Sequence, residues 1–158
     1  MTAALRRPEL ADPVFGLESA VRLLGEILSP WVQDLGLVIE KVEATRPAAA
    51  PNDWQPGAVL RLPLSAGICR DGTVVCGPAL MALADSAMLF ACAAAWNGYR
   101  PVAPIDQTTH FLRPASSDVL ADARVVRIGR TTTFGRVALT AATDRRAVGM
   151  VSTAYALL

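Results

Sequence analysis

From Pro13 to Leu28, apolar side chains recur at Val14, Leu17, Val21, Leu24 and Leu28. Steps of three and four residues place them on one face of an amphipathic helix, which Ser29-Pro30 would end. The run L-V-I-E-K-V from Leu37 to Val42 favours a strand, and the proline-rich stretch from Arg46 to Gly57 reads as a loop. In the following A-V-L-R-L-P-L, Val59, Arg61 and Pro63 alternate with Leu60, Leu62 and Leu64. Period two predicts a half-buried strand, and Pro63, which has no N–H to donate, suits an edge or a bulge.

The pattern then changes. Gly77-Pro78 opens a stretch that is apolar all round, P-A-L-M-A-L-A-D-S-A-M-L-F-A-C-A-A-A-W, closed by Asn97-Gly98. Proline is well placed at a first helical position, and Asn-Gly is a good helix stop. A helix with no polar face predicts burial on every side. Four strands follow, over Val102–Leu112, Val119–Ile128, Thr133–Thr143 and Val148–Leu157, separated by turns at Pro114–Asp118, Gly129-Arg130 and Asp144–Arg146. Consecutive strands on short turns imply an antiparallel sheet. One wholly apolar helix beside one sheet predicts an α+β fold in which the sheet curls around the helix, with an extra N-terminal helix.

The 158 residues fit a single domain over 1–158, with 1–12 as a flexible N-terminal arm. At 53% apolar and 18% charged, the chain has more apolar surface than one copy readily covers. Self-association into a dimer or tetramer is the expected remedy. A net charge of +1 supplies no field to draw nucleic acid or an anionic membrane, and neither is an expected partner. The segment from Thr73 to Trp96 has the length of a membrane span. Gly77-Pro78 interrupts it, however, and Asp85 sits near its centre, where a charge costs roughly 2.5–3.5 kcal/mol; a buried core helix is the better reading. Cys69, Cys76 and Cys92 are odd in number and lack C-x-x-C spacing, so disulfides and structural zinc are not expected and a reducing cytoplasm is. The N-terminus lacks the apolar core of a secretory signal.

Asp85 is the single charge between Asp71 and Arg100. Its helical neighbours Met81, Ala82, Met88 and Leu89 cannot hydrogen-bond a carboxylate. Such a group must find partners elsewhere, shift its pKa, or do chemistry. One reading makes it a general base or nucleophile; the other ties it to Arg70, Arg113 or a backbone amide. Catalysis is favoured because an unused carboxylate is expensive in a core. The Gly77 amide, at a helix start, is suited to polarise a carbonyl, although a plain turn glycine would look the same. Cys76 invites a nucleophile reading at the same helix start, but no histidine is near in sequence, and a small apolar role fits better. His110, the one histidine, shares a strand face with Asp106 and Thr108 and reads as a core or interface residue.

The pattern G-x-x-x-x-G-P-A-L-M-A-L-A-D-S-A-M, followed by a strand ending F-L-R-P-A, resembles the PaaI-like acyl-CoA thioesterases of the hotdog superfamily. There the junction reads roughly N-x-x-G-x-x-H-G-G before L-x-D-x-A. The resemblance spans about Leu35 to the C-terminus and implies a hotdog fold. It puts the family's helix aspartate on Asp85 and its oxyanion glycine on Gly77. Gly129, Arg130 and Thr131 fall on the turn that contacts the coenzyme A nucleotide. The family histidine is Cys76 here, the next glycine Pro78, the earlier asparagine Arg70, and a serine or threonine of the third strand Pro104. The implied function is hydrolysis of an acyl-CoA thioester between subunits, with Asp85 and Gly77 catalytic and Arg70, Cys76, Gly129, Arg130 and Thr131 against substrate. Coenzyme A enters as part of the substrate, and no cofactor or metal is implied. The alternative is a non-catalytic hotdog protein that binds an acyl or aromatic ligand. A hotdog dehydratase is disfavoured, because no acid–histidine pair is evident.

Overall fold

A computed structural model describes residues 14–158. The arm expected over residues 1–12 lies outside the described residues. Helix α1 (Leu17–Ile27) and a single turn, α2 (Pro30–Gln33), lead into strands β1 (Val38–Glu43) and β2 (Gly57–Leu62). A 3-10 turn at Ala66–Ile68 runs into a small hairpin, β3 (Cys69–Arg70) and β4 (Val74–Val75). The long helix α3 (Gly77–Ala95) follows, then β5 (Val102–Phe111), β6 (Val119–Ile128), β7 (Thr132–Ala141) and β8 (Ala147–Leu157).

Six strands form one antiparallel sheet in the order β1-β2-β6-β7-β8-β5. Helix α3 packs along its inner face, chiefly against β2, β6 and β7. The expected α+β arrangement is therefore present. Alternation decides which side chains reach the helix: Leu60 and Leu62 of β2, Ala121 and Ala123 of β6, and Val137 and Leu139 of β7 are all buried. Leu64, expected on the same face, is exposed because β2 ends at Leu62, before Pro63.

Most of α3 is buried, and its alanines let the sheet close on the backbone. Gly135 of β7 shows how tight the fit is: a Cβ there would stand 2.2 Å from Met88 Sδ and 3.1 Å from the Arg124 carbonyl oxygen. By length and composition α3 could cross a membrane, yet 67% of its apolar window is buried inside this fold. Its end is a helix cap at the expected pair, with Asn97 at φ 55° and Gly98 at φ 154°. The Gly98 N–H donates to the Ala93 carbonyl at 2.8 Å. Asn97 Oδ1 also accepts from the Phe15 N–H at 2.7 Å, which ties the start of the described chain to the end of α3.

Helix α1 departs from its predicted orientation. Ala20 and Leu28 are buried and Leu23, Leu24 and Ile27 pack on the core, whereas Val14, Leu17 and Val21 are exposed. The apolar positions extend around more of the helix than one layer can cover, and the sheet takes the side bearing the small Ala20. The β3–β4 hairpin carried no period-two signal, since two-residue strands cannot show one.

The fit around Gly135 gives a stability test. Gly135→Val should lower unfolding free energy by about 1–3 kcal/mol, the usual cost of overpacking, because Met88 is enclosed and cannot swing away. Urea denaturation measures it; no loss would show that β7 and α3 are not in this contact.

Candidate functional site

The start of α3 is held from several directions. The Cys76 N–H donates to the Ile68 carbonyl at 2.8 Å, and the Val75 N–H to the Ala115 carbonyl at 2.9 Å. Cys76 is the N-cap residue, in extended conformation, and its carbonyl accepts from the Leu80 N–H at 3.3 Å. The Gly77 N–H, by contrast, donates to no backbone carbonyl among the described residues. Pro78 has no N–H, so Gly77 carries the first free donor of this helix terminus. Phe111 of β5 lies against it: a Cβ on Gly77 would come within 3.2 Å of the ring. Glycine thus lets an aromatic side chain and an approaching ligand share the helix start.

Asp85 lies two turns further along α3, on the one stripe that the sheet leaves partly open, with Pro78, Met81 and Leu89. Its carboxylate is held from β8. The Tyr155 hydroxyl donates to Asp85 Oδ1 and also lies 3.4 Å from the Asp85 carbonyl oxygen. Tyr155 is only 1% exposed. Burial, reinforced by the negative Asp85 beside it, pushes the phenol well above the usual tyrosine range. It therefore stays a hydrogen-bond donor at any working pH. The alternative tie to Arg70 or Arg113 is not made: no ion pair among the described residues includes Asp85.

Those two arginines instead flank a groove of about 530 Å³ at the start of α3, together with Gly77, Pro78, Leu80 and Phe111. Arg113 is fixed there by donating from Nη1 to the Ala147 carbonyl at 3.1 Å. A second groove, about 560 Å³, lies on the outer sheet face beside Trp54. It is remote from Asp85, and charges lining it pair with one another: Glu43 with Lys41 and Arg124, and Asp122 with Arg124. Burial opposes the charge on Glu43, but Lys41 and Arg124 outweigh it and hold its carboxyl below the usual range.

The sequence pattern of the thioesterase superfamily matches residues 72–148, from the β3–β4 turn into β8. That span includes Gly77, Asp85 and the Gly129 turn. Over that span the chain resembles the thioesterase superfamily. Solved structures agree on the fold. A Pseudomonas aeruginosa protein is 24% identical with a TM-score of 0.72, over 90% of this chain and 98% of that one. The PaaI protein from the phenylacetic acid degradation operon of E. coli is 19% identical with a TM-score of 0.71, over 90% and 93%. A variant of the Thermus thermophilus phenylacetic acid degradation protein PaaI is 23% identical with a TM-score of 0.64, over 82% and 100%. The architecture is the hotdog fold. No curated protein sequence matches the chain.

Within this hotdog domain the predicted site residues fall into separate places. Gly77 and Arg70 share the groove, and Cys76 supports it through backbone bonds. Gly129, Arg130 and Thr131 form the β6–β7 turn and do not line that groove. The turn is closed by the Gly129 N–H on the Thr132 carbonyl at 2.7 Å. His110 is exposed and so is not a core residue; it faces away from α3, because Gln107 and Phe111 of the same strand are the residues that reach the helix. Cys92 is a core thiol, pushed up to about 12 by burial, and is not poised to react.

Tyr155 and Phe111 were missed in the sequence. A signal for Tyr155 existed: a phenol on the inward parity of β8, with Val151 and Thr153, needs an acceptor in the core. The one carboxylate of the apolar helix needs a donor. Tyr155→Phe should therefore cost about 1.5–3 kcal/mol of stability, the range for hydrogen bonds to charged groups, while leaving the ring packing intact. Thermal unfolding of wild type and variant at pH 7 reads this directly. With the folded phenol raised, its contribution is complete below the ordinary tyrosine pKa of about 10 and falls as pH rises past it, so the two unfolding curves should converge in alkali. Equal stability at pH 7 would remove the contact.

Proposed function

We propose that this chain hydrolyses acyl-coenzyme A thioesters in a site shared by two copies of itself. Asp85 carries the proposal: it is a partly buried carboxylate on an otherwise apolar helix, with one oxygen engaged by Tyr155 and the other left for chemistry. Gly77 would supply the oxyanion donor. The two are eight residues apart on α3, about 12 Å along the axis. A reacting carbonyl must lie about 3 Å from both the attacking group and its oxyanion donor. One copy cannot meet that requirement, so Gly77 of one copy would work with Asp85 of another.

The surface supports such a pairing. Strand β5 is an edge of the sheet, ten residues long, with Ile105 58% and Phe111 53% exposed. Long apolar edges are templates for further strand pairing. The half-open stripe of α3 adjoins β5, where Gln107 Nε2 donates to the Met81 carbonyl at 3.2 Å. A two-fold pairing along β5 would set two α3 helices side by side and antiparallel, with the Gly77 end of each near the middle of the other.

In the reaction, Asp85 would take a proton from water as the water oxygen attacks the thioester carbonyl, or would attack the carbonyl itself to give a mixed anhydride that water then opens. In either route the carbon–sulfur bond breaks and the thiolate of coenzyme A leaves and is protonated. The Gly77 N–H would hold the developing oxyanion. The other reading, a non-catalytic protein binding an acyl or aromatic ligand, draws on Cys76, Pro78, Arg70 and Pro104 at positions where the resemblance expects other groups.

Free-thiol release on a panel of acyl-CoA thioesters separates these readings. Asp85→Asn should lower kcat by about 10²–10⁴-fold, the usual worth of a positioned base. No thiol release by wild type on short, long or aromatic acyl groups would leave the binding reading. After many turnovers in ¹⁸O-water, label in the Asp85 carboxyl would identify direct attack with water opening the anhydride at the Asp85 carbonyl.

A further inference from the structure

The groove at the start of α3 contains two guanidinium groups, Arg70 and Arg113, and no carboxylate. Its remaining walls are apolar, chiefly Phe111, Leu80, Pro78 and Val75. The two cations are not equivalent. Arg113 is anchored on the Ala147 carbonyl, whereas Arg70, on the short β3 strand, makes no ion pair or side-chain hydrogen bond with the described residues. By contrast, Arg61 meets Glu40 and Asp118, and Arg124 meets Glu43 and Asp122. An unmatched pair of positive charges at the rim of an apolar groove is suited to a small molecule with an apolar body and an anionic end.

We propose that the acyl groups this site selects carry a carboxylate of their own, as in the half-thioesters of dicarboxylic acids, and that Arg70 is the residue that recognises it. The inference rests on the thioesterase reading above. If Gly77 holds the thioester oxygen, the groove around it receives the acyl group. The phosphates of coenzyme A lie a whole pantetheine arm away, outside the groove. In the two-copy site, the incoming Asp85 would offset one of the two guanidinium charges and leave the other for substrate. Guanidinium presents a planar fork that matches a carboxylate, so the second acyl oxygen pair has a defined partner. Phe111 and Leu80 would pack against the short carbon linker or ring between the two carboxyl groups.

The test compares glutaryl-CoA with pentanoyl-CoA, which have equal chain length and differ in the terminal carboxylate. Wild type should favour glutaryl-CoA about tenfold in kcat/KM, and Arg70→Gln should bring the two to parity. The same acyl pair on pantetheine should show the same preference. A wild-type enzyme indifferent to the carboxylate, or a preference that survives Arg70→Gln, would overturn the inference and leave the hydrolase reading standing. So would an Arg70→Gln defect shared by both CoA thioesters and absent from both pantetheine thioesters, because Arg70 would then serve the phosphates. If no thioester is cleaved, the hydrolase reading fails on its own. Calorimetric binding of the non-hydrolysable thioether analogues of the same pair then decides: about tenfold tighter binding of the carboxylate analogue, lost in Arg70→Gln, is expected, and equal binding overturns the inference.

Discussion

The contact between Asp85 and Tyr155 is the constraint on which the rest of this structure turns. A carboxylate on the central helix loses hydration, and the apolar residues around it return none. The buried phenol of β8 makes good one oxygen and, because burial keeps it protonated, does so without becoming charged itself. The bond joins α3 to the strand that lies between β7 and the β5 edge. It also fixes how the carboxylate is presented, with one oxygen anchored and the side chain still partly open to solvent.

Spacing along α3 sets the next constraint. Eight residues of helix separate the free Gly77 amide from Asp85, so the two halves of the proposed site point to different places on one copy. The exposed β5 edge and the open stripe of the helix lie on the same side of the molecule. The proposed assembly, the excess of apolar composition and the divided chemistry are thus three views of one arrangement. Gly77 has its own local reason to be glycine: Phe111 leaves no room for a Cβ without moving the ring.

Much of this fold could be read from the chain, because its elements are long and their periods strong. The start of α3 at Gly77-Pro78, its Asn97-Gly98 cap and the span of β6 follow from proline, glycine and alternation acting locally. The β3–β4 hairpin and α2 are too short to show a period. Val14, Leu17 and Val21 misled because the period of a helix tells which residues share a face, not how much of that face the sheet can cover. In the candidate site, Asp85 and Gly77 were visible as chemistry. Their neighbours were not, since Tyr155 and Phe111 come from strands that only the fold brings to the helix. The alternative of an ion pair with Arg70 is not realised for the same reason, as β3 holds Arg70 at the helix start, two turns from Asp85.

The claim that one site needs two copies is tested most directly by mixing two damaged chains. Asp85→Asn removes the carboxylate. Gly77→Pro removes the amide hydrogen at a first helical position, and its Cβ needs the Phe111 ring to shift by a few tenths of an ångström. Each variant should be nearly inactive toward an acyl-CoA thioester by itself. Co-refolded in equal amounts, half of the dimers would be mixed and would hold one intact site of two, so about a quarter of wild-type activity should return. Mixed dimers that form yet recover no activity would contradict a site built between subunits.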